Sequence, residues 1–266
     1  MLPPDGHVHT EWSWDAEEGS MERACAAAAE LGLPAIAFTD HADFTRWALW
    51  SGEQVTVPPL DTAGYLACVQ RCREQFPGLR ILAGTEIGEP HWHPDEVAAL
   101  VRAGGFDRIL GSVHTIEASG IRAVDGRLYD HLEPGDLMRA YLSEVLRLVS
   151  SSAPFAALAH IDYPVRYWPA GAGQFRPAAF EEEYRSVLAA LARSGRALEV
   201  NTVVPLAAQL VGWWHEAGGE ALVFGSDAHE PALIAHGFAE AAAMAEAAGF
   251  HPGRDPHDPW PRRRPH

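Results

Sequence analysis

Short apolar, β-branched runs alternate with Ala- and Leu-rich stretches of helical periodicity seven times along the chain. The pattern predicts strands over 6–9, 35–40, 80–87, 108–114, 155–161, 197–201 and 221–227. Helices are predicted over 20–32, 61–76, 94–104, 134–152, 177–194, 205–217 and 231–249. Ser20 precedes the first helix as a cap, and Pro94, Pro134, Pro177, Pro205 and Pro231 fall in first-turn positions, where a missing N–H costs nothing. Gly32, Gly195, Gly218 and Gly249 read as helix stops. Repeated β-then-α order implies a parallel sheet with right-handed crossovers, and seven units imply a closed or nearly closed α/β barrel. No Gly- or Ser-rich linker divides the chain, so residues 1–250 are expected to form one domain. The Pro- and Arg-rich stretch 251–266 is expected to be an irregular tail.

Composition narrows the function classes. The 266 residues carry 47% hydrophobic and 21% charged side chains, the balance of a globular protein. No apolar run reaches a membrane span, and the opening MLPPDGHVHT has no charged, apolar leader. Twenty basic residues, all Arg, face 36 acids for a net charge of −16, which argues against a nucleic-acid partner. Three cysteines (Cys25, Cys68, Cys72) make no disulfide framework, so a cytoplasmic site is expected. The acidic surface is compatible with a monomer or a homodimer. The unusual count is 14 His.

Those histidines concentrate at predicted strand ends, which read HVH (His7, His9), TDH (Asp40, His41), GTE (Glu86), GSVH (His114), LAH (His160), EVN (Glu199, Asn201) and GSDAH (Asp227, His229). In a (β/α) barrel the C-terminal strand ends form the floor of the active site. Residues i and i+2 share a strand face, so His7 with His9, and Asp227 with His229, can aim into one cavity. Six imidazoles packed there without metal would leave ring nitrogens unsatisfied, at roughly 1–3 kcal/mol each. Nitrogen and carboxylate donors without thiolate suit Zn, Mn or Fe. The donors outnumber one ion's ligands about twofold, which implies two or three ions with a bridging carboxylate. Clustered divalent ions suit phosphoryl chemistry, because they generate hydroxide and neutralise charge on attacking and leaving oxygens.

The segment DGHVHTEWSWDAEEGSMERACAAAAELGLPAIAFTDHADF resembles the opening of the PHP (polymerase and histidinol phosphatase) superfamily, most of all its monofunctional histidinol-phosphatases. GTEIG, GSVH, AHIDYPVRY, EVNT and GSDAHEP match the later motifs in order and spacing. The resemblance runs from Asp5 to about Ala248. It implies a distorted seven-stranded, TIM-like (β/α)7 barrel with three metal ions at its mouth. Carried over by motif, it gives His7, His9, Glu86 and Asp227 to a first ion, Glu86, His114 and His160 to a second, and Asp15, His41 and His229 to a third. Asp40 is expected to orient a histidine rather than ligate.

Arg166, six residues beyond His160, is expected in a loop after a barrel strand, where a guanidinium can clamp phosphate through two parallel hydrogen bonds. The segment NTVVPLAAQL lacks the further basic residue that the family often carries, leaving Arg122, Arg127 or Arg176 as substitutes. Glu117 and Asp43 are candidates to meet a substrate amine. Trp12, Trp14, Trp47 and Trp50 flank the metal motifs and are candidates for pocket walls. His91 and His93 are expected in a solvated loop, and Cys68 and Cys72 as ordinary buried thiols.

Together these point to a metal-dependent phosphomonoesterase acting on a small phosphorylated metabolite. The resemblance implies L-histidinol phosphate, hydrolysed in histidine biosynthesis by a hydroxide bridging the ions. Two rivals are a PHP phosphoesterase acting on nucleotides or another phosphometabolite, and a non-catalytic metal-binding PHP module. Intact ligand positions and the lack of a polymerase body weigh against the second.

Overall fold

The computed structural model describes residues 2–263. In chain order it contains β1 (Asp5–Val8), α1 (Met21–Glu30), β2 (Ala35–Phe38), β3 (Trp47–Ala48), β4 (Gln54–Val55), α2 (Thr62–Gln75), β5 (Arg80–Gly88) and α3 (Pro94–Ala103). There follow β6 (Arg108–Ser112), β7 (Thr115–Glu117), β8 (Ile121–Ala123), α4 (Pro134–Ser150), β9 (Ala157–Leu158), α5 (Glu181–Ser194), β10 (Ala197–Asn201), α6 (Ala208–Glu216), β11 (Ala221–Gly225), α7 (Phe238–Ala247) and β12 (Trp260–Pro261). One sheet runs β1-β2-β5-β6-β9-β10-β11-β12. Its pairings are parallel up to β11, and β12 closes the row antiparallel. Among the described residues, no helix is long and apolar enough to cross a membrane.

The sheet therefore has eight strands rather than the expected seven, because the stretch expected to be an irregular tail supplies β12. Trp260 is buried and meets Phe224 edge-on, ring centroids 4.8 Å apart, which fixes this end against β11. Residues 264–266 of that stretch lie outside the described residues. The sheet curls back on itself: Asp227 N donates to His7 O at 2.8 Å and His9 N to Ala228 O at 2.9 Å, joining β1 to the segment after β11.

Strand parity divides the two faces. Leu198 and Val200 of β10, Leu222 and Phe224 of β11, and Val8 of β1 pack in the main core with Leu142, Val145 and Leu148 of α4 and Val187, Leu188 and Leu191 of α5. The opposite face carries a small apolar cluster, Leu110, Ala157, Ala159, Ala197 and Val223, inside the curl. On the same inner face, β1, β5 and β10 carry the polar residues His7, Glu86, Glu199 and Asn201, all buried.

Local signals behave as their chemistry dictates at several starts. Ser20 accepts from Arg23 N, and Asp61 caps α2 by accepting from Gly64 N at 3.1 Å. Pro94 and Pro134 open α3 and α4. Pro177 and Pro231 instead open separate 3-10 turns, and Pro205 lies in a turn, so α5, α7 and α6 begin later than expected. A second sheet, β4-β3-β8-β7, was hidden because its strands are two or three residues long and show no alternation. It stands beside the open end of the main sheet and contributes Trp47, Thr115 and Ala123 to a cavity wall.

Candidate metal centre

The strand ends converge on Glu86, buried on β5. Its Oε2 lies 3.1 Å from His7 Nε2, 3.4 Å from His9 Nε2 and 3.4 Å from His41 Nδ1. Its Oε1 lies 2.7 Å from His160 Nε2 and 3.2 Å from His114 Nε2. One carboxylate thus faces two separate sets of imidazoles. Asp227 Oδ1 completes the first set, 3.2 Å from His9 Nε2 and 3.6 Å from His7 Nε2. A third set forms around Asp15 Oδ2, 3.3 Å from His41 Nε2 and 3.4 Å from His229 Nε2. All nine residues singled out from the motifs are therefore brought together.

The outer ring nitrogens explain how the rings are aimed. His7 Nδ1 donates to Glu199 Oε1 at 2.6 Å, and His229 Nδ1 donates to Asp227 O at 2.9 Å. His9 Nδ1 meets Ser13 Oγ at 2.9 Å, and that hydroxyl donates to Asp40 Oδ1 at 2.8 Å. Asp40, expected to orient a histidine, thus does so through Ser13. These bonds put the lone pair of each ring on Nε2, facing inward. Residue 225 must be glycine for this packing, since a Cβ there would collide with Glu199 Oε1 and His7 Cβ. Asp227 (φ 52°) and His160 (φ 21°) sit in the left-handed region, strain of about 1–3 kcal/mol each held by the surrounding bonds.

The donor set fits a divalent metal. His7 has carboxylates on both ring nitrogens, but a neutral imidazole owns one N–H, so its Nε2 calls for a cation or a second proton. His7 Nε2 and His9 Nε2 lie 3.0 Å apart, and His114 Nε2 and His160 Nε2 3.3 Å apart, contacts that lone pairs alone do not favour. Burial would lower the His7 ring, yet Glu199, Asp227 and Glu86 raise it well above the ordinary imidazole range. Burial likewise opposes His41, but Asp43, Glu86 and Asp15 lift it to about 9. Burial would raise Glu86 and Asp227. His7, His114 and His160 pull Glu86 well below the carboxylate range, and Arg166 with His7 does the same for Asp227. The site is a trap for positive charge.

Beside this cluster opens a cavity of about 250 Å³ lined by Glu86, His114, His160, Arg166, Asp227 and His229. Trp14, Trp47, Tyr163 and Tyr167 also line it, with Asp43, Glu89 and Asp125. Arg166 lies over the Tyr163 ring, 4.7 Å from its centroid, and its Nη2 bonds Asp227 Oδ2 and reaches Asn201 Oδ1 at 3.4 Å. Other candidates are not brought here. Glu117 is exposed at the end of β7, outside the cavity lining. Arg122 donates to Leu49 O, Arg127 pairs with Asp125, and Arg176 is exposed. Trp12 packs against the core, and Trp50 stacks on His131 at 4.0 Å.

His91 and His93 are not solvated as expected. His91 Nε2 meets Glu144 Oε1 at 2.6 Å and His93 Nε2 meets Thr45 Oγ1 at 2.9 Å, pinning the loop to α4 and to the cavity wall. Cys25, Cys68 and Cys72 are free and buried. Ser13, Glu89 and Tyr163 are contributors that residue patterns did not single out. The HVHTEWS spacing, four residues from His9 to Ser13, was the available signal for the first.

A curled parallel sheet with histidine and carboxylate donors gathered at its strand ends defines a metal-binding α/β protein. The chain belongs to the PHP domain family, whose model matches residues 5–203. It is 28% identical over 260 residues to the histidinol-phosphatase of Lactococcus lactis subsp. lactis, covering 94% of this chain and 93% of that one. It is 27% identical over 243 residues to a probable histidinol-phosphatase of Thermotoga maritima, covering 89% and 88%. The crystal structure of the Lactococcus lactis histidinol phosphate phosphatase, complexed with Zn, L-histidinol and phosphate, superposes with a TM-score of 0.81 at 26% identity. That match covers 94% of this chain and 95% of the other.

Proposed function

We propose that this chain is a metal-dependent phosphomonoesterase that hydrolyses L-histidinol phosphate to L-histidinol and inorganic phosphate. The observation that carries the reading is Glu86, whose two oxygens face separate groups of imidazoles beside a cavity that also holds Arg166. Likeness over nearly the whole chain to an enzyme crystallised with Zn, histidinol and phosphate supports the substrate.

In this reading His7, His9, Glu86 and Asp227 hold one ion, Glu86, His114 and His160 a second, and Asp15, His41 and His229 a third. The support is proximity within each group, each imidazole placing a ring nitrogen within 3.6 Å of a carboxylate oxygen of its own group. Zn, Mn and Fe all suit imidazole and carboxylate. When bound, such ions supply Lewis acidity toward phosphoryl oxygens and acidify a coordinated water.

The chain's own residues do the rest. Glu199, Ser13 and the Asp227 carbonyl hold Nδ1 protons, so that the inward nitrogens stay available as donors. Arg166, from the turn after β9, takes phosphate oxygens with its planar fork and spreads the charge that grows on them as the leaving oxygen departs. The His160 turn holds Arg166 because Tyr163 lies under its guanidinium. Trp14, Trp47 and Tyr167, which line the cavity, offer apolar surface to the organic part of the substrate. The test is a comparison of turnover among histidinol phosphate, nucleoside monophosphates and sugar phosphates. Histidinol phosphate should be preferred at least tenfold in kcat/KM; a nucleotide preference would instead favour the rival phosphoesterase.

A further inference from the structure

We propose that Asp43 is a positioning residue that couples two of the ions by holding the outer ring nitrogens of His41 and His114 at once. The inference rests on the ligand assignment above. Asp43 lies in the segment after β2, two residues beyond His41, and its largely buried side chain lines the cavity. Asp43 Oδ2 lies 3.5 Å from His41 Nδ1, and Oδ1 lies 3.8 Å from His114 Nδ1. His41 Nδ1 is buried and has no hydrogen-bond partner, while its Nε2 is turned to Asp15. The other carboxylate beside that nitrogen belongs to Glu86, whose oxygens are committed to ions in the assignment. Asp43 is thus the group left to accept the Nδ1 proton of His41.

The carboxylate is itself held in place. Trp14 Nε1 donates to Oδ2 at 3.2 Å, and Gly88 N donates to Oδ1 at 3.2 Å. A Cβ at residue 88 would collide with Asp43 Oδ1 and come within 3.2 Å of His114 Nδ1, so this seat exists because residue 88 has no side chain. The His41 and His114 rings meet edge-on, at 82° with centroids 5.3 Å apart, next to it. A carboxylate behind a ligating imidazole fixes its tautomer and raises its basicity, and its loss weakens metal binding by about 10–100-fold. Because one carboxylate serves two rings assigned to different ions, its loss should weaken both together. The ion assigned to His7, His9 and Asp227 should be spared, since Glu199 and Ser13 perform this service there.

The experiment is a titration of metal-free parent and Asp43→Asn with Co²⁺, following the visible d–d absorption and the bound metal by elemental analysis. Asn keeps the size, but its amide oxygen can serve only one ring. The expected result is a parent-like tight phase for one ion, a roughly 10–100-fold weakening of the others, and an altered spectrum. Trp14→Phe, which removes only the indole donor to Oδ2, should weaken the same phases by less. Parent-like affinities and spectrum in Asp43→Asn would overturn the proposal. So would an even weakening of every phase together with a lowered unfolding temperature of the metal-free protein, which would mark a general structural role. A parent that takes up no Co²⁺ would overturn the metal centre itself, and the coupling with it.

Discussion

Replacing Arg166 with Ala separates phosphate recognition from metal binding, and the structure dictates the size and sign of each effect. The guanidinium is largely buried, bonds Asp227 and reaches Asn201 Oδ1 at 3.4 Å. Loss of a charge-assisted contact to phosphate removes about 1.5–3 kcal/mol, or roughly 10- to 150-fold in kcat/KM. Arg166→Lys should recover only part, because an ammonium lacks the planar fork. Metal content should not fall, since removing Arg166 removes a competing cation from Asp227. Stability of the metal-free protein should fall, because the variant leaves a buried carboxylate without its guanidinium. Breaking such a pair costs at most about 3–5 kcal/mol, and His7 and His9 on the same carboxylate make the loss smaller here. The assays are phosphate release from histidinol phosphate, elemental analysis, and thermal unfolding with and without metal. Parent-like kcat/KM would show that Arg166 does not hold phosphate. Loss of metal in step with activity would show that it belongs to the metal site's framework.

Three further outcomes follow from the same geometry. Glu86→Ala should lower metal stoichiometry by more than one equivalent and reduce kcat by at least 10²-fold; parent stoichiometry would remove Glu86 from the bridging position. Metal affinity should rise with pH up to about 9, with protons released on binding, because carboxylates raise His7 and His41 in the metal-free protein; an affinity that does not change between pH 6 and pH 9 would contradict this. The sign for stability runs the other way: a ring lifted to about 9 stabilises the metal-free fold fully below about pH 6.5, and that contribution is lost as pH rises through about 9. Melting curves of chelated protein that do not fall between pH 6.5 and pH 9.5 would contradict this. Trp260→Ala should destabilise by about 3–5 kcal/mol with metal content per folded protein unchanged, and an unaltered unfolding temperature would show that β12 adds nothing to the fold.

The strand-end chemistry was legible because a two-residue period on a parallel strand forces His7 with His9 onto one face, and the order of elements forces that face inward. Asp15 was legible only through a motif, since nothing in a loop position dictates where an acid points. The orienting part of Asp40 was legible, but its route through Ser13 and the seat of Asp43 on Gly88 were not. Both depend on contacts between loops distant in sequence, at separations of 27 and 45 residues. Glu117 was misplaced for a related reason: it lies on a three-residue strand of the second sheet, too short to carry a pattern, and its side chain turns to solvent. Trp260 shows the reverse failure. A Pro- and Arg-rich composition suggests an irregular tail, but one large apolar side chain that finds a buried site outweighs it.

The most direct test of the account is phosphate release from L-histidinol phosphate by chelated enzyme, before and after adding back Zn²⁺ or Mn²⁺ in measured equivalents. The account predicts no turnover in the chelated protein and recovery that rises with the second and third equivalents. Full turnover in the metal-free protein, or a metal-replete protein inert toward histidinol phosphate, would contradict it.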